Sequence, residues 1–241
     1  LVTPGIAIKR SRDVSNIETT QTVDIEIVSG PQINNPLQTV KTLIIQNSNL
    51  NTTISNLKPQ YTIGNKLIYR YIKETAFAGG NEYLFLETKD VRAATSRVQS
   101  IALEDIYQSY LYTDFTRKNL PYTYNPDING QFKIVAIDRD DVAVEADYVQ
   151  VHFSLKYPEL TNGESIYIYG NYNNYALSDY NRMTLNIESG LYETNFKLKQ
   201  GFYNYKYVIV NKNGDLNEGA ISGDFWQTEN NYKVLVYYRD L

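Results

Sequence analysis

The part of the chain that most constrains its fold is residues 163–210. Short runs of β-branched and aromatic residues alternate here with turn signals, which are Asn162-Gly163, Ser189-Gly190 and Gln200-Gly201. The last run, residues 203–210, is almost wholly β-branched or aromatic, and it predicts a buried central strand. The segment therefore predicts a β domain, which the residues that follow it complete.

Similar strand-like runs recur along the rest of the chain at a spacing of about ten residues, without a long helical period. They cover residues 5–10, 22–28, 40–46, 66–71, 83–87, 97–103, 110–114, 131–137, 146–155 and 232–238. Only residues 104–110 have a helical tendency. Since an immunoglobulin-like sandwich takes roughly 100 residues, 241 residues predict an all-β fold of two immunoglobulin-like β-sandwich domains in tandem. We place their boundary in the charged stretch 138–145, which gives domains 1–143 and 144–241.

Composition argues against several classes of function. The net charge is −4 and the basic residues are scattered, so no basic stripe predicts binding to nucleic acid. No run of 18 apolar residues predicts a helix that spans a membrane. The chain has no cysteine, which excludes disulfides, thiolate metal ligands and cysteine nucleophiles.

Residue patterns that would support catalysis or metal binding are weak. His152 is the only histidine, and no neighbouring base or ligand pattern accompanies it. The run Asn125-x-Asp127-x-Asn129-Gly130 imitates the start of an EF-hand loop, but Ala136 stands where the bidentate Glu belongs, so an Asn-Gly hairpin turn is the better interpretation. We therefore expect no catalytic residue, no metal and no cofactor, although scattered Asp and Glu residues leave a glycosidase pair open.

Tyrosine is unusually frequent, with 23 residues against 8 Phe and 1 Trp. Its ring is apolar and its hydroxyl is polar, so tyrosine suits half-buried strand faces and also protein interfaces. The single Trp226, close to the last strand, is expected to anchor a core or an edge. Both interpretations of the tyrosines remain open at this point.

Two motifs of the second domain resemble those of glycogen- and starch-binding modules. The loop Gly170-Asn171-Tyr172-Asn173-Asn174-Tyr175 is similar to their G-x-F-N-N-W loop, and residues 201–207 are similar to their G-x-x-Y-K-Y/F strand. The resemblance implies an early-set immunoglobulin-like fold for this domain.

The same resemblance implies a contact site. Tyr175 stands where a sugar-stacking Trp would be, Lys206 stands where a hydrogen-bonding lysine would be, and Tyr172, Asn173 and Asn174 complete the loop. A second platform ring has no counterpart, because Lys212-Asn213-Gly214 occupies its turn. These five residues are the candidate contact residues. A carbohydrate-binding accessory protein is the alternative function, although the incomplete platform makes a glycan an unexpected partner.

A second resemblance covers nearly the whole chain. Its blocks occur in family order and are TVKTLIIQNSN, LKPQYTIGNKLIYRY, GGNEYL, YTYNPDINGQF, EADYVQVHFSL, KQGFYNYKYV, FWQTENNY and VLVYYRDL. On these blocks the chain resembles the plug protein family of the type IX secretion system of Bacteroidetes.

That resemblance implies a periplasmic, non-enzymatic subunit associated with the outer membrane through the translocon. It would bind the giant outer-membrane translocon barrel and close its periplasmic end when no substrate is in transit. It also implies a signal peptide and a further β domain N-terminal to Leu1. Stiff sandwich domains with amphipathic tyrosine contacts would suit such reversible binding.

Overall fold

The computed structural model describes residues 4–137 and 139–239. In chain order the strands are β1 (Gly5–Arg10), β2 (Thr20–Val28), β3 (Val40–Gln46), β4 (Thr53–Leu57), β5 (Tyr61–Ile63), β6 (Lys66–Tyr69), β7 (Ala76–Ala78), β8 (Leu84–Glu87), β9 (Val98–Leu103), β10 (Tyr107–Leu111), β11 (Asp114–Phe115), β12 (Phe132–Ile134), β13 (Tyr148–Lys156), β14 (Ser165–Tyr169), β15 (Thr184–Asn186), β16 (Leu191–Lys199), β17 (Gly201–Val210), β18 (Leu216–Asn217) and β19 (Tyr232–Tyr238). The α-helices are single turns, α1 (Pro36–Thr39), α2 (Val142–Glu145) and α3 (Gly219–Ser222), and the 3-10 turns are Val14–Asn16, Leu50–Thr52 and Asn171–Asn173. The all-β fold class predicted from the sequence is confirmed.

The described chain divides into two compact units. Unit 1 comprises residues 4–81 and 224–239, and unit 2 comprises the continuous segment 82–223. The predicted domains, 1–143 and 144–241, are therefore corrected. Strands from both sides of that boundary share sheets, since β8 and β12 pair with β17, and β10 pairs with β13.

Unit 1 is a sandwich of two sheets. One has the order β1-β2-β6-β5, with β7 also paired to β2, and the other has the order β19-β3-β4. The strand predicted at residues 22–28 is confirmed as part of β2, whose Val23, Ile25 and Ile27 are buried in the core together with Ile44 of the facing sheet. Thr22 and Asp24, which alternate with them, are also buried, and Asp24 pairs with Lys9 and Arg12.

Unit 2 is a second sandwich. One sheet has the order β15-β16-β13-β10-β9, with β11 also paired to β13. In the other, β17 lies between β12 and β14 and also pairs with β8 and β18. Side chains of β13 and β17 meet in one core, for example Phe153 and Tyr205, whose ring centroids are 5.3 Å apart in an edge-to-face arrangement.

The prediction that residues 203–210 form a buried central strand is confirmed. On one face of β17, Tyr203, Tyr205 and Tyr207 enter the core between the sheets. On the other face, Lys206 and Val208 are also buried. The outer side of this sheet is therefore covered, and the cover comes from loops.

The prediction of a helical tendency for residues 104–110 is wrong. Tyr107–Leu111 is strand β10, which pairs antiparallel with β9 and parallel with β13. Sheet neighbours on both sides satisfy the backbone groups of this segment, and such tertiary pairing overrides a weak local propensity. No helix in the described residues is long and apolar enough to cross a membrane.

Candidate functional site

Residues 170–175 form the loop that resembles a sugar-contact loop. Its last residue, Tyr175, points into the interior of the protein. A 3-10 turn at Asn171–Asn173 is followed by two residues in the left-handed region, Asn174 with φ 55° and Tyr175 with φ 58°. This backbone directs the Tyr175 ring onto Tyr169, with ring centroids 5.0 Å apart. Only 2% of Tyr175 remains exposed.

Lys206 is also buried, with 6% of its surface exposed. Its ammonium donates a hydrogen bond to Oε2 of Glu218 and lies 5.0 Å from the ring centroid of Tyr83 and 5.8 Å from that of Tyr169. Burial disfavours the charged lysine, but the charge and hydrogen bond of Glu218, together with Tyr169 and Tyr175, offset this, so the pKa of Lys206 is above its ordinary value. Tyr83, Tyr169 and Glu218 thus surround the ammonium group of Lys206, and we call this arrangement the Lys206 cage.

The turn at Asn129-Gly130 covers this cage. The side-chain oxygen of Asn204 accepts hydrogen bonds from the backbone of Ile128 (2.7 Å) and Gly130 (3.3 Å). A Cβ atom on Gly130 would lie 2.5 Å from the hydroxyl of Tyr175 and 2.8 Å from the Tyr83 ring. The turn therefore packs directly on the two tyrosine rings.

The half-motif that imitates an EF-hand loop holds this turn in place. Asp127 accepts hydrogen bonds from the backbone of Tyr83 and of Asn129. Asn129 (φ 54°) and Gly130 (φ 77°) are both left-handed, which confirms the predicted Asn-Gly turn. The predicted hairpin is wrong, because residues 116–128 contain no strand and β12, which follows the turn, pairs with β17. Across the described residues, no group of three or more His, Cys, Asp or Glu side chains is placed to hold a metal ion.

A contact role for Tyr175 and Lys206 is contradicted by their burial, because Tyr175 packs against the Asn129-Gly130 turn and the Lys206 ammonium is paired with Glu218 inside the protein. Of the other loop residues, Tyr172 is half-buried and donates a hydrogen bond to the carbonyl of Ile168 (3.2 Å). The Asn173 amide donates to the carbonyl of Ala176 (3.2 Å), and Asn174 is exposed. For Tyr172, Asn173 and Asn174 the contact role stays a prediction.

Sequence reasoning missed a buried polar centre at Asp114. Its carboxylate accepts hydrogen bonds from the hydroxyls of Tyr205 and Tyr207, both at 2.8 Å, and from the guanidinium of Arg97. Burial and the negative charge of Asp114 raise the pKa of both tyrosines. The sequence signal for this polar centre was the alternation of tyrosines along β17. Nothing in the sequence linked these tyrosines to an Asp some ninety positions earlier.

Unit 1 carries an apolar surface that we call the β3–β19 face. It comprises the outward-pointing Leu43, Leu235 and Tyr237, flanked by Lys41 and Lys233. Leu235 lies opposite Leu43, and Tyr237 lies opposite Lys41. Leu235 is 45% exposed and Tyr237 is 55% exposed. Apolar side chains that are exposed next to one another on a sheet can mark a protein-contact surface.

No family model and no curated protein matches the chain. Among solved structures, the chain is similar to a hypothetical protein from Parabacteroides merdae ATCC 43184, known from a crystal structure at 2.30 Å resolution. The two are 30% identical with a TM-score of 0.92, and the match covers 100% of this chain and 61% of that chain. The chain thus spans about three fifths of a larger protein of the same fold, and that protein is described only as hypothetical.

Proposed function

We propose that the chain is part of the periplasmic plug subunit of the type IX secretion translocon and is not an enzyme. In this role it binds the giant outer-membrane barrel and closes its periplasmic end when no substrate is in transit. The fold match to a protein from Parabacteroides merdae, a Bacteroidetes species, supports the proposal, because the family that the sequence resembles belongs to that phylum.

The observation that carries the proposal is the β3–β19 face. Two of the blocks that carry the resemblance, TVKTLIIQNSN and VLVYYRDL, lie at opposite ends of the sequence. Their described residues form adjacent antiparallel strands, with Leu43 opposite Leu235. Because β19 is the edge of its sheet, the apolar side chains lie beside a strand edge. Such an edge can also pair with a strand of a partner. We assign this face to the contact with the barrel.

The test is co-purification of the barrel from outer membranes with the tagged native full-length protein. We expect Leu235→Glu and Tyr237→Glu each to reduce the recovered barrel about tenfold, because a buried unpaired carboxylate is unfavourable at an interface. The matched control is Ile187→Glu on unit 2, where the isoleucine is 90% exposed. Barrel recovery that is unchanged in both β3–β19 variants would show that this face is not the contact.

Closure is tested separately from binding. A strain that lacks the gene but retains the translocon should admit a large hydrophilic antibiotic that the parent strain excludes. Restoring the gene should restore the exclusion. An outer membrane that is no leakier without the protein would refute the plug role even if co-purification succeeded.

The alternative, a carbohydrate-binding accessory protein that uses Tyr175 and Lys206, finds no support in the positions of these side chains. Both side chains are buried, the Asn129-Gly130 turn packs on the Tyr175 hydroxyl, and the Lys206 ammonium is paired with Glu218.

A further inference from the structure

Unit 2 contains all three Asn-Gly pairs of the chain, which are Asn129-Gly130, Asn162-Gly163 and Asn213-Gly214. An asparagine in such a pair can react with the backbone without an enzyme, because the nitrogen of the following residue can attack the carbon of the side-chain amide. Glycine favours this attack, since it has no side chain in the way and its backbone rotates easily. The three pairs differ in how firmly the fold holds the attacking nitrogen.

The pair Asn129-Gly130 is protected. Asn129 is 6% exposed, so little water reaches it. The N–H of Gly130 donates a hydrogen bond to the side-chain oxygen of Asn204 (3.3 Å), and the carbonyl of Gly130 accepts one from the N–H of Asn171 (2.9 Å). A reaction at Asn129 therefore requires local unfolding of the turn.

The pair Asn213-Gly214 is exposed, but its glycine nitrogen is engaged. The N–H of Gly214 donates a hydrogen bond to the carbonyl of Asn211 (3.0 Å), and the N–H of Asn213 donates one to Oδ1 of the same residue (2.8 Å). The Gly214 nitrogen has to leave its hydrogen bond before it can turn toward the Asn213 side chain. This step slows the attack.

The pair Asn162-Gly163 has neither kind of protection. Both residues are exposed on the turn that precedes β14. Within residues 4–137 and 139–239, the N–H of Gly163 donates no hydrogen bond, whereas the next N–H, that of Glu164, donates to the carbonyl of Thr161 (3.3 Å). The side-chain nitrogen of Asn162 donates to Oγ1 of Thr161 (3.2 Å), which keeps the amide at the turn. The attacking nitrogen is thus free, and its target stays beside it.

We propose that Asn162 is a site of spontaneous deamidation in the folded chain. The Gly163 nitrogen gives its proton to hydroxide and forms a bond to Cγ of Asn162. The bond from Cγ to Nδ2 breaks, and Nδ2 leaves as ammonia with a proton from the solvent. Water then opens the cyclic imide at either of its two carbonyls, which gives aspartate or isoaspartate. One water enters and one ammonia leaves, so no oxidant or reductant is needed. The inference is independent of the plug function.

The two products should differ in their effect on the turn. Aspartate keeps the length of the backbone, and a short polar side chain tolerates the left-handed conformation of residue 162 (φ 61°). Isoaspartate adds a carbon to the backbone inside a turn that the hydrogen bond from Glu164 to Thr161 closes. After chromatographic separation, the isoaspartate form should therefore unfold at a lower urea concentration than the aspartate form.

The experiment is incubation of the folded chain at mildly alkaline pH in water enriched in heavy oxygen, followed by peptide mass spectrometry. Asn162 should gain heavy oxygen about fivefold faster than Asn213, because the Gly214 nitrogen must first leave its hydrogen bond. Asn129 should react only after urea has unfolded the chain. The ammonia released should equal the oxygen gained.

Two glycine variants form a matched pair. Gly163→Ala should slow the reaction at Asn162 about tenfold, because a methyl group then obstructs the attack. Gly214→Ala is the control, since Gly214 is also left-handed (φ 88° against 74° for Gly163) and the rate at Asn162 should not change.

Either of two results in the folded chain would overturn the proposal. One is that Asn162 keeps its amide while Asn213 loses it. The other is that all three asparagines react at the same rate, since the turns would then have no influence on the reaction.

Discussion

At the scale of single residues, Gly130 is the position at which the candidate site depends most on the absence of a side chain. Gly130→Ala should lower the free energy of unfolding by about 3 kcal/mol, because the left-handed backbone and the contacts with Tyr175 and Tyr83 both oppose a Cβ atom. The matched control is Gly64→Ala. Gly64 is also left-handed, but nothing lies within 4 Å of its Cβ position, so we expect a loss of about 1 kcal/mol. If urea unfolding showed the same loss of stability for Gly130→Ala and Gly64→Ala, the contact of the turn with the tyrosine rings would be unimportant for stability.

The buried pair Lys206 and Glu218 gives a second prediction at this scale. Lys206→Met should lower the free energy of unfolding by about 3 kcal/mol, because it removes the positive charge that faces the Glu218 carboxylate in a largely buried position. The control is the exposed ion pair of Arg182 and Asp179. Asp179→Asn should lower the free energy of unfolding by less than about 1 kcal/mol. Urea unfolding measures both. If Lys206→Met were as mild as Asp179→Asn, the ion pair would not be a structural element of the cage.

At the scale of the element, β17 buries a row of tyrosines whose neutral form the fold requires. Burial raises the pKa of Tyr203, Tyr205 and Tyr207 above the ordinary value of 10.0. A folded-state pKa above the unfolded one contributes stability that is complete below pH 10.0 and is lost as the pH rises beyond it.

Unfolding in urea should therefore show a constant stability at neutral pH and a steep decline above the ordinary tyrosine pKa. Tyrosinate absorbance of these buried residues should appear together with unfolding. The control is Tyr203→Phe, which removes one raised pKa and should make the alkaline decline shallower. Tyrosinate formation by all 23 tyrosines near pH 10.0 in a chain that stays folded would contradict this reading.

At the scale of the whole molecule, unit 2 is continuous in sequence whereas unit 1 is not. We expect a fragment of residues 82–223 to fold alone with a cooperative urea transition, since it contains its own core and all strands of its two sheets. A fragment of residues 144–241 should not fold, because β17 loses β8 and β12, and β13 loses β10. Circular dichroism of the two fragments checks this. Cooperative unfolding of the fragment of residues 144–241 would instead support the domain boundary between residues 143 and 144 that the sequence predicted.

The sequence by itself determined where most strands lie. Residues 40–46 and 232–238 coincide with β3 and β19, and the positions of Val23, Ile25 and Ile27 in the core follow from alternation. The Asn129-Gly130 turn was also predictable, because left-handed backbone favours this residue pair. Strand alternation and turn preference depend on the backbone and side chains of a few consecutive residues, and so a short stretch of sequence is enough to predict them.

Only the tertiary structure decided which strands are neighbours and what covers them. β19 joins β3 and so closes a unit begun at the other end of the chain, while the turn at Gly130 packs on Tyr175 and Tyr83. These contacts join segments far apart in sequence, and their free energy depends on burial and pairing that local residue patterns do not encode. For the same reason the last residue of a loop that resembles a sugar-contact loop became part of a core, and Tyr110 came to stack on His152 of a neighbouring strand.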